Sequence, residues 1–348
     1  MRLGTRRPYV LRTGRSLRQA SVRGRILIAN GVRYSYGPVP SRRLGKRLGI
    51  NNIPAKVCTY SCVYCQVGRT SRILNDRSSF FEPEDIFRDV QRRLTEAKEA
   101  SERVDYLTFV PDGEPTLDVN LGTEIILLRE LKVPVGVITN SSLLWRDDVK
   151  EDLAKADWVS LKIDAVQEVA WRRINRPHKG LLLPTVLDGI RAFAKAFAGK
   201  LVSETMLVRG VNDGEGGGLE EVADFLHEVQ PHVAYLSIPT RPPAERDVRS
   251  PDEEALNGAY QILADKVRRV EYLVGYEGDD FALTGEIEKD LLSITAVHPM
   301  REEAISTLLS RVGYSWEVVD RLVARGDLAR TKYDGQVFYL RRFIKDRL

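Results

Sequence analysis

Cys58, Cys62 and Cys65 are the only cysteines in this 348-residue chain, and all three fall in the stretch KVCTYSCVYCQVG (56–68). Thiolates this close together suit a soft metal, either zinc or an iron–sulfur cluster. Three is one short of a closed four-ligand zinc site. The histidines, His178, His227, His232 and His298, lie away from the cysteines and in no paired spacing. Zinc would therefore need a distant fourth ligand. A [4Fe–4S] cluster normally takes four thiolates. Held by three, it leaves one iron open to a small molecule. An odd cysteine count also argues against a disulfide framework, so a reducing, cytoplasmic setting is expected.

The elements that must position this loop can be read on either side of it. RLGINNIP (47–54), DYLTFVP (105–111), VPVGVIT (133–139), DWVSLKID (157–164), LVSETMLV (201–208) and HVAYLSIP (232–239) read as strands. Between them, EPEDIFRDVQRRL (82–94) places Ile86, Phe87, Val90 and Leu94 on one helical face. LPTVLDGIRAFAKAF (183–197) and GLEEVADFLHEV (218–229) follow the same spacing. Strand–helix alternation predicts parallel βα units. The expected α/β fold is an incomplete (β/α)6 barrel over 31–285, with chemistry at the C-terminal ends of its strands.

After about residue 285 the pattern changes. REEAISTLLSRVG (301–313) and SWEVVDRLVARG (315–326) read as short helices, each closed by a glycine. LARTKYDGQVFYLRR (328–342) reads as a hairpin turning at Asp334-Gly335. Helix, helix, hairpin is the order of a winged helix-turn-helix domain, expected over 286–348.

Composition is that of an ordinary globular protein, 43% hydrophobic and 29% charged. No apolar run reaches the length of a membrane span. The net charge of +4 is unevenly spread, with eight arginines and no acid in residues 1–25. Residues 1–30 are expected to form an Arg-rich arm, either a solvated tail or a phosphate-attracting segment.

The C-x3-C-x2-C run after the first strand of a βα barrel resembles the motif of the radical SAM superfamily. The resemblance implies that the open iron of a [4Fe–4S] cluster on Cys58, Cys62 and Cys65 chelates the amino and carboxylate groups of S-adenosylmethionine (SAM). One electron, from a donor such as flavodoxin or ferredoxin, then cleaves the sulfonium and releases a 5′-deoxyadenosyl radical that abstracts hydrogen from a substrate. Tyr64, the aromatic before the last cysteine, matches the family position near the adenine. PDGEPTL (111–117) resembles the Gly-Gly-Glu-Pro segment that holds the methionine amino group. Gly113, Glu114 and Pro115 carry over, with Asp112 where the family has its first glycine. TNSSLL (139–144) resembles the third-strand end, offering Asn140 and Ser141 to the ribose or carboxylate. SLKIDA (160–165) resembles the fourth, with Lys162 and Asp164 facing the pocket or its rim. Taken singly, Glu114 and Asn140 would be better explained as helix caps, but taken together, all at strand ends and in family order after the cysteines, they read as cofactor contacts.

More narrowly, YGPVPSRRLGKRLGIN (36–51), GEPTL (113–117) and ETMLVRGVND (204–213) resemble a subgroup related to wyosine tRNA-base synthases, over about 36–285. Those proteins hold a second cluster on further N-terminal cysteines, which this sequence does not have. A tRNA base or nucleotide is the leading substrate expectation. Rival readings are radical modification of a protein or peptide, as an activase or maturase, and an iron–sulfur redox-sensing regulator. Arg42 and Arg43, before the first strand, and Arg241, in IPTRPPAERDVR (238–249), are expected to line the barrel mouth and hold an anionic substrate.

Overall fold

The computed structural model describes residues 34–214, 217–274, 286–297 and 299–342, without the side chains of 296 and 297. The Arg-rich arm, the stretch before the boundary expected at 285/286, His298 and the last six residues lie outside the described residues.

Parallel strands buried on both faces read as short apolar runs, and the helices between them expose one polar side. The described residues begin with β1 (Ser35–Ser41) and β2 (Gly45–Ile50). The cysteine segment follows, with two short paired stretches, β3 (Val57–Cys58) and β4 (Arg72–Ile73). Strand and helix then alternate: α1 (Pro83–Glu99), β5 (Tyr106–Phe109), α2 (Leu121–Arg129), β6 (Val135–Thr139), α3 (Asp147–Leu153), β7 (Trp158–Lys162), α4 (Glu168–Asn175), α5 (Leu183–Ala196), β8 (Lys200–Met206), α6 (Leu219–Val229), β9 (Val233–Ser237), α7 (Glu253–Ala264) and β10 (Val270–Leu273). In α1, Pro83 occupies the first turn, where its missing N–H costs nothing, and Ile86 and Val90 are buried.

One curled sheet results, in the order β1-β2-β5-β6-β7-β8-β9-β10, a half-barrel of mixed α/β architecture. Its strands from β2 to β10 pair in parallel, and β1 runs antiparallel to β2. The sheet thus exceeds the six expected strands at both edges. β10 is four residues long, with Glu271 and Tyr272 partly exposed between Val270 and Leu273. β1 contains Gly37, Pro38 and Pro40, which speak against a strand unless it is an edge. Both are edges, where apolar patterning is weakest.

The remaining elements are α8 (Ile287–Val297), β11 (Met300–Arg301), α9 (Glu302–Val312), α10 (Glu317–Ala324), β12 (Leu328–Tyr333) and β13 (Gln336–Arg341). Their three-stranded sheet has the order β11-β13-β12. Asp334 and Gly335 both take positive φ, 48° and 74°, in the hairpin turn. Leu291, Ile305, Leu308 and Leu322 share a core with Tyr36 and Val39 of β1. The edge of the large sheet is therefore covered. Among the described residues, no helix is long and apolar enough to cross a membrane.

Candidate active site

The cysteine segment leaves the C-terminal end of β2. Backbone bonds curl it into consecutive turns: Cys65 N donates to Cys62 O at 3.2 Å and Gly68 N to Cys65 O at 3.1 Å. Ser61 and Val63 tie it to the end of α4 through Asn175 O and Ile174 O. Cys58, Cys62 and Cys65 are free thiols that line one cavity of about 180 Å³. Burial pushes all three thiols up, Cys62 to about 12 with Asp164 adding to the rise. Among the described residues, no three His, Cys, Asp or Glu side chains converge as ligands of one ion.

The loop after β5 forms the next wall. Gly113 bridges to Val57, and a Cβ built on it would lie 1.8 Å from Val57 O, so only glycine fits there. Glu114 caps a single 3-10 turn, Pro115–Leu117. Its Oε1 accepts from Thr116 N at 3.1 Å, Thr116 Oγ1 at 2.6 Å and Thr139 Oγ1 at 2.6 Å. Its Oε2 accepts from Asn140 N at 2.7 Å. The capping explanation of Glu114 is the one this geometry fits. Pro115 is buried inside the turn and is not among the cavity-lining residues.

Asn140, at the end of β6, lines the cavity and donates from Nδ2 to Thr59 Oγ1 at 2.7 Å, with Cys58 Sγ at 3.5 Å. Ser141 takes a positive φ of 69°, is buried, and is not among the cavity-lining residues. At the end of β7, Lys162 lines the cavity with its Nζ 4.9 Å from the Tyr64 ring centroid. Asp164 holds Tyr64 rather than facing open space. It accepts from the Tyr64 hydroxyl, from Asn175 Nδ2 at 2.7 Å and from Met206 N at 2.9 Å.

The expected substrate arginines part company. Arg42 and Arg43 lie in the β1–β2 turn, at the N-terminal end of the parallel strands and so opposite the cysteines. This corrects their expected place at the mouth: the cysteines follow β2, whereas these arginines precede it. Arg43 enters the barrel from its floor and donates from NH1 to Glu204 Oε2 at 2.5 Å and Ser160 Oγ at 3.2 Å. Glu204 Oε1 accepts from Lys162 Nζ and from Ser237 Oγ, both at 3.0 Å. Burial raises the Glu204 carboxyl, but Lys162 and Arg43 outweigh it and hold the group at about 2. Arg241 does sit at the mouth, donating from NH1 to Gln66 Oε1 at 2.9 Å beside the cysteines.

Several site residues escaped sequence reasoning. Asn175 points its amide at Asp164, with Cys62 Sγ 3.5 Å away. Arg77 grips the far side of the Glu114 loop, donating to Thr116 O at 2.9 Å, Asp118 O at 2.6 Å and Asp152 Oδ2 at 2.5 Å. Glu204 had a usable signal, because a carboxylate inside LVSETMLV is rare unless paired. Asn175 and Arg77 had none.

A family model described as the radical SAM superfamily matches residues 52–226, half of the chain and the site from the cysteine segment to α6. The chain belongs to the radical SAM superfamily. It is an enzyme, and the superfamily's cofactors are a [4Fe–4S] cluster and SAM, with an electron donor required. The UPF0026 protein MJ1312 of Methanocaldococcus jannaschii is 45% identical over 315 residues, 90% of this chain and 97% of that one. The UPF0026 protein slr1464 of Synechocystis is 36% identical over 216 residues, 61% of this chain and 78% of its own. A solved structure of TYW1 with a lysine-pyruvate adduct bound aligns with a TM-score of 0.49 at 16% identity, covering 65% of this chain and 76% of that one.

Proposed function

We propose that Cys58, Cys62 and Cys65 hold the [4Fe–4S] cluster and that the cavity beside them binds SAM for hydrogen abstraction from a substrate. One observation supports this most directly: three free thiols, the Gly113–Glu114 backbone, Asn140 and Lys162 line one cavity at the C-terminal ends of four successive parallel strands, β2, β5, β6 and β7. Cluster and SAM together supply reductive cleavage of the sulfonium bond. The chain's own residues bind and orient. Asp164 fixes the Tyr64 ring, Glu204 fixes the Lys162 ammonium, and the Asn140 and Asn175 amides face cysteine sulfurs, where they would stabilise thiolate charge. Thiols raised by burial must lose protons on loading, and metal coordination drives that loss.

Anaerobic reconstitution of the full chain should give about four irons and slow release of 5′-deoxyadenosine from SAM. Alanine at any one of the three cysteines should abolish both. Stoichiometric zinc without iron would overturn the proposal.

For the substrate, we propose a tRNA base or nucleotide, an electron donor such as flavodoxin or ferredoxin, and a cytoplasmic setting. The Arg-rich sequence of residues 1–25 supports the nucleic-acid reading. The order α8-β11-α9-α10-β12-β13, with sheet order β11-β13-β12, supports a winged helix-like unit at the C-terminus. One observation favours a protein or peptide instead. Arg321 and Arg325 on and after α10 pair with Glu288, and Arg325 also with Asp327. Phosphate would have to displace those carboxylates. Binding of bulk tRNA at low salt, weakened by deleting residues 1–25, separates the two readings.

A further inference from the structure

The cysteine segment has two sides. β3 is paired on both edges, through Val57 with Gly113 on one and with β4 on the other. Gly113 belongs to the cavity wall, whereas Arg72 and Ile73 of β4 do not. β4 therefore lies on the outer side of the segment. Both its residues are exposed, Ile73 at 40%. Ile73 stands in register with Cys58, and Leu74 N donates to Cys58 O at 2.9 Å. One exposed strand thus separates solvent from the backbone of a cysteine.

A second exposed stretch lies against this one. His178 N donates to Thr59 O at 2.8 Å, Tyr60 bridges to Pro177, and a Cβ on Gly180 would lie 3.4 Å from Asn75 Nδ2. Leu182, two positions past Gly180, is 62% exposed. Charge in the two stretches has one sign: 54–75 carry three Lys or Arg, 169–187 carry four, and neither holds an acid. Glu245 reaches over and pairs with Arg69 and Arg176. Arg72 and Lys179 are exposed, with no carboxylate partner among the described residues.

An apolar centre with a basic rim suits an acidic protein. RNA phosphates would use the rim and leave Ile73 and Leu182 unfilled. The backbone bond to Cys58 narrows the kind of protein, because the group held by the cysteines needs an external electron. We propose that β4 and the stretch 176–182 dock an acidic one-electron carrier protein, on the side of the cysteines away from the cavity. The carrier and the substrate then do not compete for the mouth. This inference rests on the iron–sulfur reading of the cysteines. The carrier is oxidised by one electron and the cluster is reduced by one, with no bond formed or broken at the surface.

The test uses the full chain, reconstituted without oxygen, with flavodoxin and a plant-type ferredoxin as the acidic carriers. Affinity is read by titration calorimetry and cluster reduction by stopped-flow absorbance. Arg72→Glu with Lys179→Glu should weaken carrier binding roughly 10- to 100-fold at low salt, an effect that fades as salt screens the charges. Arg72→Lys with Lys179→Arg keeps both charges and should bind as the parent does. Arg268→Glu, exposed before β10 at the opposite end of the strands, should also change nothing. Iron content and uncoupled SAM cleavage driven by dithionite should match the parent in all these variants, because none of the three residues lines the cavity. Equal carrier affinity in the parent and the double charge reversal would overturn the inference. So would an equal loss from Arg268→Glu, which would show a response to net charge alone. Weaker tRNA binding with carrier binding untouched would make this face an RNA surface and overturn it too. An iron-loaded parent that binds neither carrier has the same consequence. A parent that takes up no iron would overturn the iron–sulfur reading itself, and the inference with it.

Discussion

The two ends of the half-barrel treat buried polar groups in opposite ways. Below the mouth, Arg43 rising from the floor, Ser160 and Glu204 inside the barrel, and Lys162 and Ser237 at the strand ends form a paired network, with the side chains of Arg43 and Glu204 13% and 11% exposed. Each oxygen of Glu204 has a charged donor. At the mouth, Asp112 Oδ1 is without a hydrogen-bond partner and three thiols are pushed up by burial. The same fold pays for polarity at one end through internal pairing and leaves it open at the other. In barrels of this kind the C-terminal strand ends do the chemistry and the N-terminal ends hold the structure.

The floor should be the more damaging end to break. Glu204→Ala leaves Lys162 and Arg43 as buried cations without their shared anion. Breaking a buried pair this way costs about 3–5 kcal/mol, read as a drop in the urea midpoint at pH 7. Acid should weaken the same contact. The Glu204 carboxyl sits at about 2 in the fold against an ordinary 4.5. Its contribution is therefore present above about 4.5 and lost as pH falls from there to about 2. A parent and Glu204→Ala that differ as much at pH 2.5 as at pH 7 would refute this account of the floor.

A third region tests whether an unsatisfied buried carboxylate alone marks a ligand site. Glu124 on α2 is 1% exposed and lies against Asn52 and Asp118, with neither oxygen in a hydrogen bond of good geometry. Asp152 lies near both carboxylates and Arg77 near Asp118, and Glu124 is not among the cavity-lining residues. Burial, with Asp118 adding to it, raises its carboxyl to about 9. The sign is opposite to that of Glu204. Stability is intact below the ordinary 4.5 and declines as pH rises toward 9. Glu124→Gln should raise the melting temperature by about 2–4 °C at pH 8, with little gain at pH 5 and no change in SAM affinity. A loss of SAM binding would show that the Glu114 loop transmits what happens behind it.

This comparison was only half legible in the sequence. The cysteine run, Gly113 and Asn140 could be placed at strand ends because βα alternation is a local pattern and strand ends follow from it. What a side chain does once there depends on contacts far along the chain. The strand-end pattern reads Glu114 as a cofactor contact, and nothing in the sequence shows that Thr139 and Asn140 donate to it. Asp164 reads as a pocket residue until Tyr64, a hundred positions away, is found bonded to it. Arg43 was misplaced for a similar reason. A residue before a strand enters the barrel at the opposite end from one after it, and the length of β2 separates Arg43 from the cysteines. The edge strands β1 and β10 were missed because an edge can afford prolines and exposed residues that a central strand cannot.

The smallest expected effect concerns how the C-terminal hairpin meets the mouth. Tyr333, at the end of β12, donates its hydroxyl to Pro239 O at 3.1 Å. That carbonyl also accepts from Ser250 Oγ at 2.6 Å. The loop between these residues reaches the cysteine segment through Arg241 on Gln66 and through Glu245, whose N–H donates to Val63 O at 3.0 Å and whose carboxylate accepts from Arg69 at 2.7–2.8 Å. Tyr333→Phe removes one donor, yet Ser250 keeps Pro239 O satisfied. The global cost should therefore stay below about 1 kcal/mol. Faster amide hydrogen exchange should appear over 239–250, because that loop loses a tether while the cores on either side keep their contacts. A global destabilisation of several kcal/mol would mean that the hairpin supports the barrel itself. Unchanged exchange would mean that the loop is held from the cysteine side alone.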